Sequence, residues 1–196
     1  MLRRLTLVVA VGIGHQASQP AADLRPGMQL VYSSNGADQP AWSVDSVDVD
    51  LTAMPNARCA RFLLRRRPDQ SRADESRLCV AGDTLYGWSA RREAWVPQRP
   101  VGPGMSLTTR SPSGDTVRYS TGTKAQETIS GYRLTLVETT VTTVDSLGRP
   151  KRRLRERYAL SLATATGGTF EAPDPASPGG WRAEQVFELR AIRPER

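Results

Sequence analysis

Apolar and polar residues alternate with a period of two along much of this chain, and no other feature constrains its fold as strongly. The alternation is clear in residues 42–51 and 132–144, and turn-forming pairs such as Asn35-Gly36 separate the alternating segments. A period of two places successive side chains on opposite faces of a strand, and an Asn-Gly pair favours a tight hairpin turn. No segment has the periodicity of an amphipathic helix. The pattern predicts an all-β chain that forms a single antiparallel barrel, half-barrel or sandwich of about nine to eleven strands, with little helix.

The predicted strands follow one another at short intervals, with turn residues between them. They cover residues 28–33, 42–51, 58–64, 76–80, 84–89, 94–96, 116–120, 126–129, 132–144, 151–161 and 185–192. The alternation changes parity at Ser46, which predicts a β-bulge in the second strand. Residues 97–113 and 167–180 are rich in proline and glycine, so we predict two long loops there.

The N-terminus has the three-part pattern of a secretory signal peptide. Two arginines precede the apolar residues 5–14, and small or polar residues follow as far as Ala22. The apolar run is far shorter than the roughly 20 residues that a membrane-spanning helix needs. We predict a signal peptide over residues 1–22 and a single β-rich domain over residues 23–196. The alternatives are a buried N-terminal strand or a wrongly assigned start codon.

Two cysteines, Cys59 and Cys79, lie in flanking segments that resemble strands. If these segments form a hairpin with the cysteines opposite one another, its tip falls near Asp69, inside a polar stretch. An even number of cysteines in an exported protein favours a disulfide. The alternatives are a redox pair or two free thiols, but the pair lacks CxxC spacing and has no neighbouring histidine. We predict one disulfide hairpin that joins Cys59 to Cys79.

The only histidine of the chain, His15, lies in the predicted signal peptide. The mature domain would therefore lack the base of Ser-His-Asp and Cys-His sites, and most ligands of the commonest zinc sites. The sequence also lacks the nucleophile-elbow, phosphate-loop and dinucleotide-binding motifs. A site built from two carboxylates would leave no such signature. We predict a protein that is not an enzyme and that uses no cofactor.

An acidic strand contains Asp45, Asp48 and Asp50, of which the last two share a face. Two carboxylates on one face could help to bind calcium, but no glycine-rich loop surrounds them as calcium loops require. A solvated outer face is the simpler interpretation. We predict no metal site.

The chain is basic, with a net charge of +7, and only Lys124 and Lys151 among its 27 basic residues are lysines. This excess of arginine is typical of a GC-rich genome. Basicity alone therefore argues weakly for nucleic-acid binding, and export argues against it. We predict no nucleic-acid partner.

Two groups of arginines are candidates for contact with an anion or a lipid headgroup. Arg65, Arg66 and Arg67 lie near the predicted tip of the disulfide hairpin, and Arg153 and Arg155 lie on a later strand. The alternative for the first group is a solvated loop, neutralised by the acidic residues that follow it. The alternative for the second group is an outer strand face on which arginines pair with carboxylates.

The hairpin of residues 132–161 turns between Leu147 and Gly148, and this turn predicts how its strands pair. The register places Glu138 opposite Arg157, Val141 opposite Leu154, and Thr139 opposite Glu156. Charges then lie outside and apolar residues inside. Glu156, however, falls on the apolar face, which leaves open a register that is shifted by one step.

Residues 153–163, Arg-Leu-Arg-Glu-Arg-Tyr-Ala-Leu-Ser-Leu-Ala, resemble a tyrosine-alanine segment near the end of many uncharacterised secreted bacterial β-proteins. Those proteins resemble the periplasmic lipoprotein-carrier superfamily, and the resemblance covers roughly residues 130 to 165. It implies a half-barrel, in which a curved antiparallel sheet wraps an apolar cavity. Ser161 stands where the segment usually has a glycine, and the resemblance assigns no functional residue.

Three residues are candidates for ligand contact. Leu136 and Tyr158 lie on the predicted apolar face, where they would line an inner cavity. Trp181 follows two glycines in a predicted loop and is the tryptophan that we most expect to be exposed. The alternative for all three is ordinary packing, since aromatic residues in a β-domain more often fill the core.

Together these features predict an exported, non-enzymatic binding protein of the bacterial cell envelope, periplasmic or secreted, that carries a lipid or another apolar small molecule. The alternative is an accessory subunit that docks on a larger membrane or envelope complex. Either protein would contact a membrane at most peripherally. A deep apolar cavity would favour the carrier, whereas a filled core with an exposed apolar patch would favour the subunit.

Overall fold

The computed structural model describes residues 23–47, 57–64, 73–177 and 179–194. The predicted signal peptide, the aspartates Asp48 and Asp50, and the arginines from Arg65 to Arg67 lie outside these ranges. Within them, no helix has the length and apolar character needed to cross a membrane.

The described residues form strands that pair in antiparallel fashion throughout, with one short 3₁₀ helix at Leu160–Leu162. The strands are β1 (Gln29–Ser34), β2 (Ala37–Asp38), β3 (Trp42–Ser46), β4 (Arg58–Leu64), β5 (Asp74–Ala81), β6 (Thr84–Ser89), β7 (Ala94–Pro100), β8 (Ser106–Arg110), β9 (Thr116–Ile129), β10 (Tyr132–Val144), β11 (Pro150–Ala159), β12 (Thr164–Pro173) and β13 (Trp181–Arg193). The all-β prediction is confirmed.

All thirteen strands belong to one sheet, which curls into a nearly closed barrel. The strand order is β7-β6-β5-β4-β3-β1-β13-β12-β11-β10-β9-β8, and β2 pairs with β1 beside this path. The pairing of β1 with β13 joins the two halves of the chain. The two ends of the path, β7 and β8, approach one another without forming a ladder.

The segment that connects β7 to β8 is bound to β9 beside this seam. Thr121 donates its amide proton to the carbonyl oxygen of Met105 over 2.9 Å, and the Met105 amide donates to the Thr121 hydroxyl over 2.7 Å. The amide of Gly104 donates to the carbonyl oxygen of Gly122 over 3.0 Å. These bonds satisfy backbone groups that a gap in the ladder would leave unpaired, and they hold the barrel nearly closed.

The barrel has two different ends. The turns β1–β2, β6–β7, β8–β9, β10–β11 and β12–β13 lie at one end, which we call the mouth, and the turns β5–β6, β9–β10 and β11–β12 lie at the other, the closed end. Large apolar side chains fill the closed half. Its most deeply buried members include Leu134, Leu136, Tyr158 and Leu162. Residues that precede β1 add Leu24 and Met28 to the same core.

Two predicted pairings are confirmed. Cys59 lies opposite Cys79 on β4 and β5, and a disulfide joins them with a Cα–Cα distance of 4.0 Å. The β10–β11 register is the one expected from the turn, with Glu138 opposite Arg157, Val141 opposite Leu154 and Thr139 opposite Glu156. The pairing of β3 with β4 is also irregular just before Ser46, where the sequence predicts a bulge.

The two predicted long loops are wrong, because strands occupy much of both. Residues 97–113 contain the end of β7 and all of β8, and residues 167–180 contain most of β12. The prolines of β7 are tolerated because β7 is the last strand of the path, where an amide need not pair. In β12, an added Cβ at Gly168 would lie only 2.6 Å from the carbonyl oxygen of Arg155, so glycine permits the close packing of β12 on β11.

The strands predicted at 116–120 and 126–129 are one continuous strand, β9. The register between β9 and β10 shifts between Val137 and Thr139, so two β9 residues are accommodated opposite one residue of β10. Such a bulge keeps the strand continuous while it interrupts the alternation. The sequence pattern therefore indicated a break where the backbone has a bulge.

Candidate ligand-binding cavity

The half of the barrel next to the mouth is hollow. Its first cavity, which we call the apolar chamber, has a volume of about 550 Å³. Side chains from β1, β3, β4, β5 and β13 form its apolar wall, namely Leu30, Trp42, Phe62, Leu64, Leu78 and Phe187. Small inward residues, among them Ser34, Ser76 and Ala165, also line it. These short side chains do not reach across the barrel, so a cavity remains between the larger side chains of the wall.

Tyr32 supplies a polar group to the wall of the apolar chamber. Its hydroxyl donates to the carbonyl oxygen of Ala165 over 2.8 Å and lies 3.3 Å from the hydroxyl of Thr164. Burial of the phenol raises the pKa of Tyr32 to about 12, against the smaller lowering effect of the Thr164 hydroxyl. The phenol is therefore neutral at physiological pH, and this wall of the chamber carries no charge there.

A second cavity, which we call the arginine chamber, has a volume of about 860 Å³. It adjoins the apolar chamber, since Ser76 and Leu78 line both. Its wall combines apolar side chains of β5, β6, β9, β10 and β11 with the charged and polar side chains of Glu75, Arg77, Gln98 and Arg99. The mouth half thus offers an apolar compartment beside a more polar one.

An ion pair lies between the wall of the arginine chamber and the filled core. Arg99, from β7, forms a salt bridge with Glu156, from β11, and their side chains are only 16% and 4% exposed. The hydroxyl of Thr139 donates to Glu156 over 2.9 Å. The Arg99 guanidinium also lies 5.4 Å from the ring centre of Tyr158, within the range of a cation–π contact. Barrel curvature brings these strands together across the interior.

The Tyr158 hydroxyl is buried beside this ion pair and has no hydrogen-bond partner among the described residues. Burial raises the pKa of Tyr158 well above its ordinary value, although the nearby Arg99 acts in the opposite direction. Tyr158 is therefore an uncharged part of the cluster throughout the physiological range.

The predicted ligand-contact residues lie elsewhere than in the walls of the two chambers. Leu136 and Tyr158 belong to the filled core. The expectation that Trp181 is the exposed tryptophan of a loop is wrong, because Trp181 begins β13 and is only partly exposed, whereas Trp88 is 37% exposed. Trp181 stacks against the guanidinium of Arg153, with 4.5 Å between the guanidinium carbon and the ring centre. Direct ligand contact by these three residues stays a prediction.

The arginines of β11 lie on the outer face, as their alternation predicts. Arg153 and Arg155 both donate to the carboxylate of Glu171, over 2.5 and 2.8 Å, and Arg157 donates to Glu127 over 3.0 Å. Burial acts to raise the pKa of Glu171, but the two arginines outweigh it and hold that pKa below its ordinary value. The carboxylates thus balance this arginine stripe, and contact of Arg153 and Arg155 with an outside anion also stays a prediction.

The sequence alone did not identify Arg99 as an inward-facing residue. The position of Glu156 on the apolar face was a reason to consider a shifted register. Arg99 lies in a segment whose prolines predicted a loop, so its inward direction could not be derived. Glu156 did carry a signal, because the correct hairpin register places it on the apolar face. A carboxylate at such a position predicts a buried partner from another strand, since an isolated buried charge is costly.

No family model matches this chain, and no curated protein matches it significantly. One similar solved structure is a protein from Bacteroides fragilis that is assigned as exported and has a YmcC-like fold. The two sequences are 8% identical, the match covers 88% of this chain and 98% of that chain, and the TM-score is 0.49. Another is a protein from Parabacteroides distasonis that is assigned as a lipoprotein, with 10% identity, 87% and 97% coverage, and a TM-score of 0.47. At these values neither likeness carries an argument about this chain.

Proposed function

We propose that this protein is an exported, non-enzymatic carrier of the bacterial cell envelope, periplasmic or secreted, and that it holds a lipid or another apolar small molecule in the apolar chamber. The main support for this proposal is the apolar chamber. Its volume of about 550 Å³ falls within the range of roughly 300 to 1,000 Å³ that is typical of small-molecule sites.

The composition of the chamber supports an apolar ligand. Its wall consists of aliphatic and aromatic side chains with a few uncharged polar groups, and the phenol of Tyr32 stays neutral. Transfer of an apolar molecule from water into such a space is favourable in proportion to the apolar area that it buries. The closed half next to the chamber is packed, so its side chains would lose little conformational entropy when a ligand binds.

A carrier needs no nucleophile, and the polar groups near the chambers fit that role. Arg99 and Glu156 neutralise one another, and Tyr32 and Tyr158 remain protonated. Neither phenol is ionised near neutral pH, so neither acts as a base there. The proposal therefore includes no catalytic residue, no cofactor and no nucleic-acid partner.

The alternative is an accessory subunit that docks on an envelope complex. Its supporting observation is a set of exposed apolar side chains close to the mouth, where Trp88 is 37%, Phe170 40% and Leu147 74% exposed. Such side chains could contact a protein partner. The hollow interior nevertheless favours the carrier, because docking alone would not require a cavity.

The test is to fill the apolar chamber and measure binding of the neutral fluorescent probe N-phenyl-1-naphthylamine. The unaltered protein should bind the probe saturably, and Ser76→Trp should weaken binding by about tenfold or more, because indole would occupy the space that both chambers share. Ser106→Trp is the matched control, since Ser106 is exposed on β8. An absence of saturable binding, or equal weakening by the two variants, would overturn the proposal.

A further inference from the structure

Arg99 has more hydrogen-bonding capacity than its observed partners use. A guanidinium carries five N–H donors. Among the described residues, Arg99 contacts one carboxylate, that of Glu156, and the face of the Tyr158 ring. The side chain also lines the arginine chamber. A molecule inside the chamber can therefore accept hydrogen bonds from the N–H donors of Arg99 that remain unused.

The charges around Arg99 restrict which acceptor can bind. Glu156 already compensates the Arg99 guanidinium, while Thr139 and Tyr158 add only uncharged groups to the cluster. The other two charged side chains that line the chamber, Glu75 and Arg77, pair with one another. An incoming carboxylate would add an uncompensated negative charge beside the buried carboxylate of Glu156. A carbonyl oxygen would satisfy the same donors and add no charge, which avoids that cost.

The two chambers are placed to receive the two parts of one amphipathic molecule. They adjoin at Ser76 and Leu78, with the apolar wall of Phe62 and Phe187 on one side and Arg99 on the other. A molecule that lies across this boundary would put its chain in the apolar chamber and its polar end beside the guanidinium.

We propose that the ligand class is a neutral acyl ester, whose carbonyl oxygen accepts a hydrogen bond from Arg99 while its acyl chain occupies the apolar chamber. This inference rests on the proposed carrier function and makes it specific. The protein is then expected to bind neutral esters, such as monoacylglycerols, more tightly than free fatty acids with the same chain. Glu156 is the residue that sets the preference, because it removes the need for a negatively charged ligand.

The experiment compares displacement of N-phenyl-1-naphthylamine by 1-decanoylglycerol, methyl decanoate and decanoate at pH 8 and below their aggregation concentrations. On the unaltered protein, both esters should displace the probe at lower concentrations than decanoate does. The ratio of concentrations should be at least tenfold after correction for the difference in octanol–water partition. In Glu156→Gln the guanidinium loses its counter-charge, so decanoate should gain affinity by tenfold or more and the esters should change little. Glu171→Gln is the control, since Glu171 pairs with arginines on the outer face.

Equal displacement by the acid and the esters, or tighter binding of the acid, on the unaltered protein would overturn the inference and leave the carrier function standing. Displacement by none of the three ligands from a protein that binds the probe would also overturn it. Failure to bind even the probe would overturn the carrier function itself. The unaltered protein decides the preference alone, so a Glu156→Gln protein that does not fold leaves the test valid.

Discussion

The closed half and the mouth half of this barrel are built from the same strands, yet one is filled and the other is hollow. At the closed end, buried residues such as Leu134 and Leu162 are large and belong to one packed core. Near the mouth, inward residues such as Ser76 and Ala165 are small and line a cavity. Both small and large side chains line this cavity, so the difference lies in how completely the inward side chains fill the interior. The comparison indicates a division between a half that provides stability and a half that is available for binding.

The largest difference between the two halves is expected when matched leucines are truncated. Leu134→Ala should lower the free energy of unfolding by about 4 kcal/mol, because it opens a cavity in a packed core. Leu78→Ala should cost only about 1 kcal/mol, since Leu78 already borders empty space. Urea denaturation with the disulfide intact measures both values. Equal losses would show that the mouth half is packed as tightly as the closed half.

The second prediction concerns the disulfide, which lies in the closed half of β4 and β5. Replacement of both cysteines by alanine should lower the free energy of unfolding by about 3 kcal/mol, since the link closes a loop with a sequence separation of 20. Affinity for N-phenyl-1-naphthylamine should stay within twofold, because the chambers lie towards the mouth. A fall in affinity that parallels the fall in stability would mean that the two halves are not independent.

The third and smallest effect concerns the outer wall of the mouth half, which charge pairs help to stabilise. The arginines beside Glu171 hold its pKa below the ordinary value of 4.5. A carboxyl whose pKa is lowered by folding stabilises the protein above its unfolded pKa, and this contribution disappears as the pH falls through the folded pKa. Between about pH 5 and pH 3, the unaltered protein should therefore lose stability more steeply than Glu171→Gln. Urea midpoints across this range test the difference, and parallel curves would contradict it.

Local signals in the sequence were sufficient to predict the strand pairing of two hairpins, β10–β11 and β4–β5. The turn at Asp145 to Gly148 fixed the β10–β11 register, because Asp145 accepts bonds from the amides of Leu147 and Arg149 that lock the turn. The cysteine spacing likewise fixed the β4–β5 pairing. Both features join strands that are neighbours in sequence, so short-range rules apply to them.

The cavity and the interior ion pair depend on contacts that no local rule provides. An inward serine such as Ser76 has the same pattern whether a large side chain or empty space lies opposite. Arg99 meets Glu156 only because curvature brings β7 and β11 together, and the prolines of β7 masked the strand that carries Arg99. The sequence therefore predicted an apolar inner face, but it could not separate the filled part of that face from the hollow part.

Native mass spectrometry of the intact protein, purified from the envelope of its own host, tests the carrier function most directly. We predict a complex in which one polypeptide retains one apolar small molecule, which denaturation releases and organic solvent extracts. The bare mass of the polypeptide, or a complex with a second protein and no small molecule, would contradict the claim that the mouth half is a ligand-carrying cavity.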